Sequence, residues 1–314
     1  MIMEAINTIN YAARTPVWSG LGQDISSCTT VDEALELSGL DFTVHQEDIQ
    51  TSADLPVPLY GFKANVKDDG TPLGIVSTKY QVVQNRDAFA FLDDLAGEGM
   101  HFERAGGLQN GRKVFVLGRM PDRYIMSGEH ISPYIVFINS HDGTGSIKVL
   151  MTPIRMICLN MLNLALRNAT RSWSVVHSGD VHGKLEDARN TLLYAHHYMQ
   201  ELGGAMETLR QIPLNDSKAK ELTEVLIPTG DQMSPVQIKN INRQRSDLLE
   251  RYFEAPDLTL LDRSAYRFLN AVADHANHAD PLRKRDNFQE ARFSRSVEGH
   301  PLVDRAYRLL QSAA

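Results

Sequence analysis

Cysteine and long apolar runs are scarce in this chain of 314 residues, and their scarcity excludes several protein classes. The two cysteines, Cys28 and Cys158, are too few for a small scaffold held together by several disulfides. We expect both thiols to be buried and free, as is typical of a reducing compartment. No run approaches the ~18 apolar residues of a membrane span, and no apolar segment of a signal peptide opens the chain. The sequence therefore predicts a cytoplasmic protein without membrane contact.

Signatures of catalysis and of bound metal are also missing. Asp274, His275 and His278 form a D-H-x-x-H pattern that can place two imidazoles on one helix face. Metal sites generally need three or four ligands, and no CxxC or HExxH accompanies this pattern. A polar helix face is the interpretation we favour. We therefore predict no metal, no cofactor and no catalytic residue, and we interpret the chain as a binding protein rather than an enzyme.

Positive charge is rare except in one block. The net charge is −7, and residues 1–130 carry ten Lys or Arg against eighteen Asp or Glu. Residues 131–184 carry five Lys or Arg against two Asp or Glu, which makes this block net basic. An acidic total does not exclude nucleic acid as a ligand, because binding follows local charge rather than the sum.

The basic block contains the most informative stretch of the chain. Residues 134–138 are apolar and mostly β-branched, which is typical of a strand that is buried on both faces. A polar, glycine-containing turn follows, then a second strand at 147–151 and an amphipathic pattern at 154–167 that predicts a helix. Residues 59–95 have the same order, with an Asp69-Gly70 turn between the two strands. We predict two antiparallel strands followed by a helix in each stretch.

The remaining patterns complete an α+β prediction. Strands are expected at 42–49, 100–105 and 112–119, and Thr30 with Glu33 forms the pattern of a capping box. After residue 182 the pattern becomes helical, with helices expected at 182–202, 217–226, 235–253, 263–277 and 301–311. The fold class is therefore α+β, with antiparallel β-hairpins and packed helices in the N-terminal half and a mostly helical C-terminal half. We place an α+β core domain at 1–183 and a helical region at 184–314.

Two basic clusters are candidates for contacts with nucleic acid. Arginine, lysine and asparagine hold phosphate backbones, and aromatic side chains stack on bases. The first cluster follows the central strands: Lys148, Arg155, Asn160, Asn163, Arg167, Arg171 and Trp173. The second cluster is expected in a loop with Phe288 and Phe293 interleaved: Arg283, Lys284, Arg285, Arg292 and Arg295. The alternative for both is a solvated face that balances the acidic N-terminal half.

A polar loop between the central strands contains serine, histidine and aspartate. Its residues are Asn139, Ser140, His141 and Asp142. These are the residue types of a catalytic triad, but triads are assembled from distant positions rather than from sequence neighbours. A turn closed by Asp142 and Gly143 is the interpretation we favour, and a loop that contacts a ligand is the alternative.

Several segments, in the same order, resemble one protein family. They include WSGLG at 18–22, YQVVQN at 80–85, NSHDG at 139–143, TPIR at 152–155, CLNMLN at 158–163 and LNAVADH at 269–275. The sequence is similar to the phage/plasmid-like protein family, a domain of unknown function found in phages, plasmids and transferred islands. The similarity spans roughly residues 16–311 and departs at Glu298-Gly299-His300-Pro301, where relatives tend to have an aromatic-glycine segment.

The resemblance implies a role in DNA metabolism or in a contest with host defences, and it carries no catalytic residue. At fold level the layout is also similar to phage single-strand annealing proteins of the Rad52/RecT type. We therefore expect a protein that binds and anneals single-stranded DNA in recombination, as a homo-oligomer. The alternative is an interaction protein that binds a host or phage protein.

Overall fold

A computed structural model describes residues 15–121, 124–126, 128–178, 181–283 and 285–312, with the backbone alone for 181–195. The first elements are β1 (Gln23–Asp24) and α1 (Val31–Ser38). The Thr30 side chain accepts from the Glu33 amide, and the Glu33 carboxylate accepts from the Thr30 amide. The predicted capping box is therefore confirmed, and Gly39 ends the helix in the left-handed conformation that glycine adopts without strain.

A three-stranded antiparallel sheet comes next. It consists of β2 (Val44–Gln50), β3 (Pro58–Lys67) and β4 (Pro72–Ser77), with β3 in the middle. Two short helices follow, α2 (Asn85–Phe89) and α3 (Leu92–Gly97). The order of two strands followed by helix, predicted for residues 59–95, is confirmed, although two short helices replace a single one.

Among the described residues, the larger sheet has eight strands and includes β1. Its other members are β5 (His101–Leu108), β6 (Lys113–Arg119), β7 (Tyr124–Met126), β8 (Glu129–Ser140), β9 (Ile147–Arg155), β10 (Asn160–Met161) and β11 (Ser172–Val175). The order is β1-β5-β6-β8-β9-β10, with β7 paired to β8 and β11 paired to β9. The central strands β8 and β9 pair antiparallel, which places Phe137 opposite Val149 in the core. The two strands predicted after residue 134 are therefore confirmed.

The helix predicted at residues 154–167 is wrong. Strand β9 continues to Arg155, the chain reverses over four residues, and β10 pairs back so that Asn160 lies opposite Arg155. Leu159 takes φ +57° in this turn, which a right-handed helix does not allow. Ile157 and Ala165, two apolar residues of the predicted helix, are exposed. Pairing with β9 therefore determined the structure of this segment, and its helical periodicity did not.

The C-terminal half is helical, as predicted. It contains α4 (Val181–Arg210), α5 (Asp216–Leu226), α6 (Pro235–Glu254), α7 (Pro256–Thr259), α8 (Ala265–His278), α9 (Phe288–Glu298) and α10 (Pro301–Ser312). Twelve of the fourteen residues of α8 are buried, so this helix is the centre of the helical half. The α+β class is confirmed. Within the described residues, no helix is long and apolar enough to cross a membrane.

Two hydrophobic clusters connect the sheet with the helices. The larger contains Phe137 and Val149 from the sheet together with Phe268 and Leu269 from α8. The smaller packs Trp18 and Phe115 with Phe293 of α9. The boundary predicted between residues 183 and 184 falls inside α4, and the hydrophobic core continues across it.

The two cysteines are free. Cys158 is buried in the turn before β10, and burial raises the pKa of its thiol to about 12. The prediction of a buried, unbridged Cys158 is therefore confirmed. Cys28 lies in the loop before α1 and is only half-buried, so the expectation of a buried thiol is wrong there.

Candidate nucleic-acid interface

Most of the first predicted cluster lies inside the protein. Arg155 is 0% exposed: its Nη1 lies 2.7 Å from the Asp257 carboxylate, and its Nε lies 2.8 Å from that of Glu129. These partners neutralise the guanidinium, and burial keeps phosphates away from it. Asn160 is also fully buried. Arg155 and Asn160 are therefore removed from the predicted interface.

Three more members of the first cluster join the large sheet to α9. Asn163 is buried and donates to the carbonyls of Ser296 and Val297 at 2.6 and 3.1 Å. Arg171 donates to the carbonyls of Met151 and Val297, and burial lowers the pKa of its guanidinium. Lys148 pairs with Glu298 of α9 at 2.5 Å. These side chains hold the end of α9 in place, and their donors are already engaged.

Arg167 and Trp173 lie closer to solvent. Arg167 is exposed and lines a polar pocket of about 510 Å³ together with Arg308 of α10. Trp173 is half-buried on β11 and packs against the larger hydrophobic cluster. Arg167 is therefore the most accessible cation of the first cluster.

Three residues of the polar loop at 139–142 are buried, namely Asn139, Ser140 and His141, and Asp142 is half-buried. The Asn85 side chain accepts from Asn139 at 3.2 Å and lies 2.9 Å from Nε2 of His141. Burial, assisted by the nearby His177, lowers the pKa of His141 to about 4, so the imidazole is neutral at pH 7. The carbonyl of His141 accepts from Asn65 at 2.7 Å, which ties β3 of the small sheet to the large sheet. This cluster therefore connects the two sheets.

Asp142 forms the predicted turn. Its carboxylate accepts from the Thr144 amide at 2.8 Å, from the Thr144 hydroxyl at 2.7 Å and from the Ser140 hydroxyl at 2.8 Å. No contact joins Asp142 to His141 in the way that a triad requires. The interpretation as a turn is therefore supported by these contacts.

The second predicted cluster surrounds a pocket of about 580 Å³. The pocket lies between the end of α8, the following loop, α9 and the start of α10. Arg283 and Arg285 lie in the loop, whereas Arg292 and Arg295 lie on α9, where a loop was expected throughout. Lys284 lies outside the described residues. We call this cavity the arginine pocket, defined by its four arginines: Arg283, Arg285, Arg292 and Arg295.

The lining of the arginine pocket is strongly positive. Asp280 is the one carboxylate among the described residues that line it. None of the four arginines forms an ion pair with another described residue. Phe288 also lines the pocket, and the Arg292 guanidinium lies 5.2 Å from its ring centre. A concave surface with unpaired arginines and an aromatic ring suits a phosphate-containing ligand.

Two histidines complete the lining, and the sequence did not assign them to this pocket. His275 of α8 is 8% exposed, and its Nδ1 lies 2.5 Å from the carboxylate of Asp247 on α6. Arg251 donates to the same carboxylate from Nε at 2.8 Å, and these contacts lower the pKa of Asp247 to about 2. His300, at the start of α10, lines the pocket beside them. Among the described residues, no group of three or more His, Cys, Asp or Glu could hold a metal ion.

A family model matches residues 72–298, which run from β4 to the end of α9 and include all four arginines of the pocket. The family is described as a Domain of unknown function (DUF932). No curated protein and no solved structure matches the chain.

Proposed function

The chain belongs to the DUF932 family, whose description assigns no activity, and we propose from its geometry that it binds single-stranded nucleic acid through the arginine pocket. The observation that carries the proposal is the group of four arginines around one cavity, none of them in an ion pair within the described residues. Phosphate contacts from such side chains supply most of the affinity of sequence-independent binding.

The distribution of charge supports this site over the rest of the surface. The chain has a net charge of −7, so its overall field repels a polyanion. A local excess of positive charge must therefore attract the strand, and the described lining of the pocket has four arginines against one aspartate. Arg283, Arg285 and Arg295 are exposed at its rim, where a flexible strand can reach them. The first predicted cluster offers a weaker surface, because Arg155 is buried and paired. The described lining of the pocket beside Arg167 has two arginines against one glutamate.

Base stacking would add to the phosphate contacts. Phe288 is half-buried in the pocket lining, with the guanidinium of Arg292 over its ring. Stacking on aromatic rings accepts any base, which fits binding without sequence preference. Duplex bases are already stacked on one another, so this contact favours single strands.

The biological setting belongs to the same proposal. From the resemblance of the sequence to phage and plasmid proteins we infer a role in protecting or annealing strands during recombination. A homo-oligomer in the cytoplasm would present several arginine pockets to one strand. The protein would act by binding rather than by catalysis.

A salt titration tests the proposal. We expect fluorescence anisotropy to show binding to single-stranded oligonucleotides that weakens between ~50 and ~200 mM salt. Replacing two rim arginines, Arg283→Ala with Arg295→Ala, should weaken binding to all sequences. It should also flatten the slope of log K against log salt by roughly 1.4, since each lost phosphate contact contributes about 0.7.

The matched control is Arg243→Ala with Arg305→Ala. Both residues are exposed on neighbouring helices and do not line the pocket. This variant has the same change in net charge and should keep the wild-type slope. Equal losses in the two variants would show that net charge, and not the pocket, determines binding.

A protein partner is the second candidate function, and one observation favours it. The small sheet exposes large apolar side chains at one end, including Tyr60, Phe62 and Ile75. Ala64 of β3 pairs with Ile75 of β4, so Phe62 and Ile75 share one face of the sheet. Exposed apolar patches of this kind mark protein contacts. If the wild type shows no salt-dependent binding to single or double strands, this candidate replaces the first.

A further inference from the structure

The inner end of the arginine pocket differs from its rim. Arg283, Arg285 and Arg295 are exposed, whereas Arg292 and His300 are half-buried and His275 is buried. The inner end therefore combines one arginine with two histidines in a place with little access to water. A group bound there would exchange its water contacts for protein donors.

His275 has a defined orientation. The low pKa of Asp247 means that its carboxylate is ionised and can only accept, so Nδ1 of His275 carries the proton that lies between them. Nε2 forms no hydrogen bond with the described residues, and it remains accessible to solvent. Nε2 is therefore the atom that His275 offers to the pocket.

The support behind His275 is rigid. Arg251 donates to Asp247 through Nε and Nη2, and its Nη1 lies 2.8 Å from the Asp274 carboxylate. These contacts join α6 to α8 in the core of the helical half. Asp247 consequently fixes the ring of His275 and the direction in which its Nε2 faces.

His300 and Arg292 add donors on the other side. Nδ1 of His300 accepts from the Leu302 amide at 3.2 Å, which leaves the proton of the neutral ring on Nε2. Burial, assisted by the nearby Arg295, lowers the pKa of His300. Nε of Arg292 is buried and finds no acceptor among the described residues. Positive charge and unused donors are thus concentrated at this end.

We propose that the inner end of the arginine pocket binds a terminal phosphate, a phosphate monoester carried by the end of a strand or by a free nucleotide. This inference rests on the proposed function and specifies which part of the nucleic acid enters the pocket. A monoester has three non-bridging oxygens and close to two negative charges at pH 7. An internal diester has two such oxygens and one charge, so it would use fewer of the donors. The volume of about 580 Å³ is that of a small-ligand site, which fits a nucleotide at a strand end.

Binding measurements with defined ends test this inference. Oligonucleotides of one sequence would carry a 5′-phosphate, a 3′-phosphate or hydroxyls at both ends. We expect one phosphorylated end to bind at least about tenfold tighter than the hydroxyl ends, the effect of one or two charge-assisted hydrogen bonds. Competition with a 5′-mononucleotide and with inorganic phosphate distinguishes the two sources. If the mononucleotide competes at low concentration, a free nucleotide is supported as the ligand. If the phosphorylated oligonucleotide binds more tightly than the mononucleotide, a strand end is supported.

Two variants separate a role in binding from a role in folding. His300→Gln leaves the network of Asp247, Arg251 and Asp274 untouched, and His275→Gln removes the fixed imidazole. Each should abolish the preference for the phosphorylated end, measured in the same variant as the ratio of its affinities for the phosphorylated and the hydroxyl-ended strand. His101→Gln, an exposed histidine outside the pocket, is the matched control and should keep the preference.

The outcomes distinguish this inference from the proposed function. Equal affinity for phosphorylated and hydroxyl-ended strands overturns the terminal-phosphate site and leaves nucleic-acid binding in place. Binding of the mononucleotide alone supports the site and overturns strand binding. A wild type that binds none of these probes overturns both.

Discussion

At the scale of single residues, burial decides what a charged or polar side chain can do. Arg155 and Arg283 look alike in the sequence, yet one is sealed with two carboxylates and the other is exposed at the rim of a pocket. A buried ion pair fixes structure, because its Coulomb energy offsets part of the cost of desolvation. Its hydrogen bonds also leave no donor for a ligand. Accessible arginines without carboxylate partners are the ones that can attract phosphate.

His141 allows a prediction about pH. Its pKa is about 4 in the folded protein and close to 6.5 when unfolded, so the unfolded chain binds a proton first as pH falls. The stabilisation is complete above pH 6.5 and is lost progressively towards pH 4, by up to about 3 kcal/mol. We expect urea unfolding to show this loss in the wild type and a flatter pH dependence in His141→Gln.

The neighbouring histidine sets the control for that measurement. Burial also lowers the pKa of His177, whose ring stacks on Tyr80 at 4.6 Å, so part of the slope should persist in His141→Gln. The matched control is His45→Gln, which replaces an exposed histidine outside this buried cluster. An unchanged pH dependence in His141→Gln would contradict the assignment.

At the scale of elements, the turn between β9 and β10 can be tested against the helix that the sequence favoured. Leu159 has φ +57°, where glycine is favoured over alanine by about 1 kcal/mol. Inside a helix the order reverses, and alanine is favoured by about the same amount. We therefore expect Leu159→Gly to be more stable than Leu159→Ala in urea unfolding.

The same pair of substitutions at Met156 provides the comparison. Met156 lies in the same turn, is exposed and has no positive φ, so alanine should be at least as stable as glycine there. A Leu159→Ala variant that is more stable than Leu159→Gly would favour the helix and contradict the hairpin.

Elements whose signals are local could be predicted, and elements that depend on distant contacts could not. The Thr30–Glu33 capping box and the Asp69-Gly70 turn each act within a few residues. The pairing of β10 with β9 had no local signal strong enough to compete with the helical periodicity of residues 154–167. The sequence did not predict helix α9, because the arginines obscure the helical spacing of its buried apolar residues, Phe293 and Val297.

The candidate site shows the same division. The four arginines could be found because they cluster in the sequence. His275 was noticed in a D-H-x-x-H pattern, but Asp247, which orients it, lies 28 residues away on another helix. His300 lies directly before a third helix, α10, and belongs to no recognised motif. Only the packing of α6, α8 and α10 brings these residues to one pocket.

At the scale of the whole molecule, the continuous core argues against two independent domains. The larger cluster joins Phe137 of the sheet to Phe268 of α8, and the smaller joins Trp18 to Phe293 of α9. Separating residues 1–183 from 184–314 would therefore expose apolar surface on both parts. Burial of apolar surface is the main favourable contribution to the free energy of folding, so neither part should be stable alone.

This continuity predicts one cooperative unfolding transition for the full chain. Both tryptophans, Trp18 and Trp173, lie in the N-terminal part, whereas circular dichroism at 222 nm is dominated by the C-terminal helices. Because one core includes both parts, tryptophan fluorescence and circular dichroism should give the same urea midpoint. Phe268→Ala, in α8, should lower both midpoints together, with a loss of about 3 to 5 kcal/mol. Leu260→Ala, at an exposed position, is the control and should move neither. If the two probes separate, or if Phe268→Ala shifts only the dichroism signal, the helical region unfolds independently and the boundary near residue 183 is a true domain boundary.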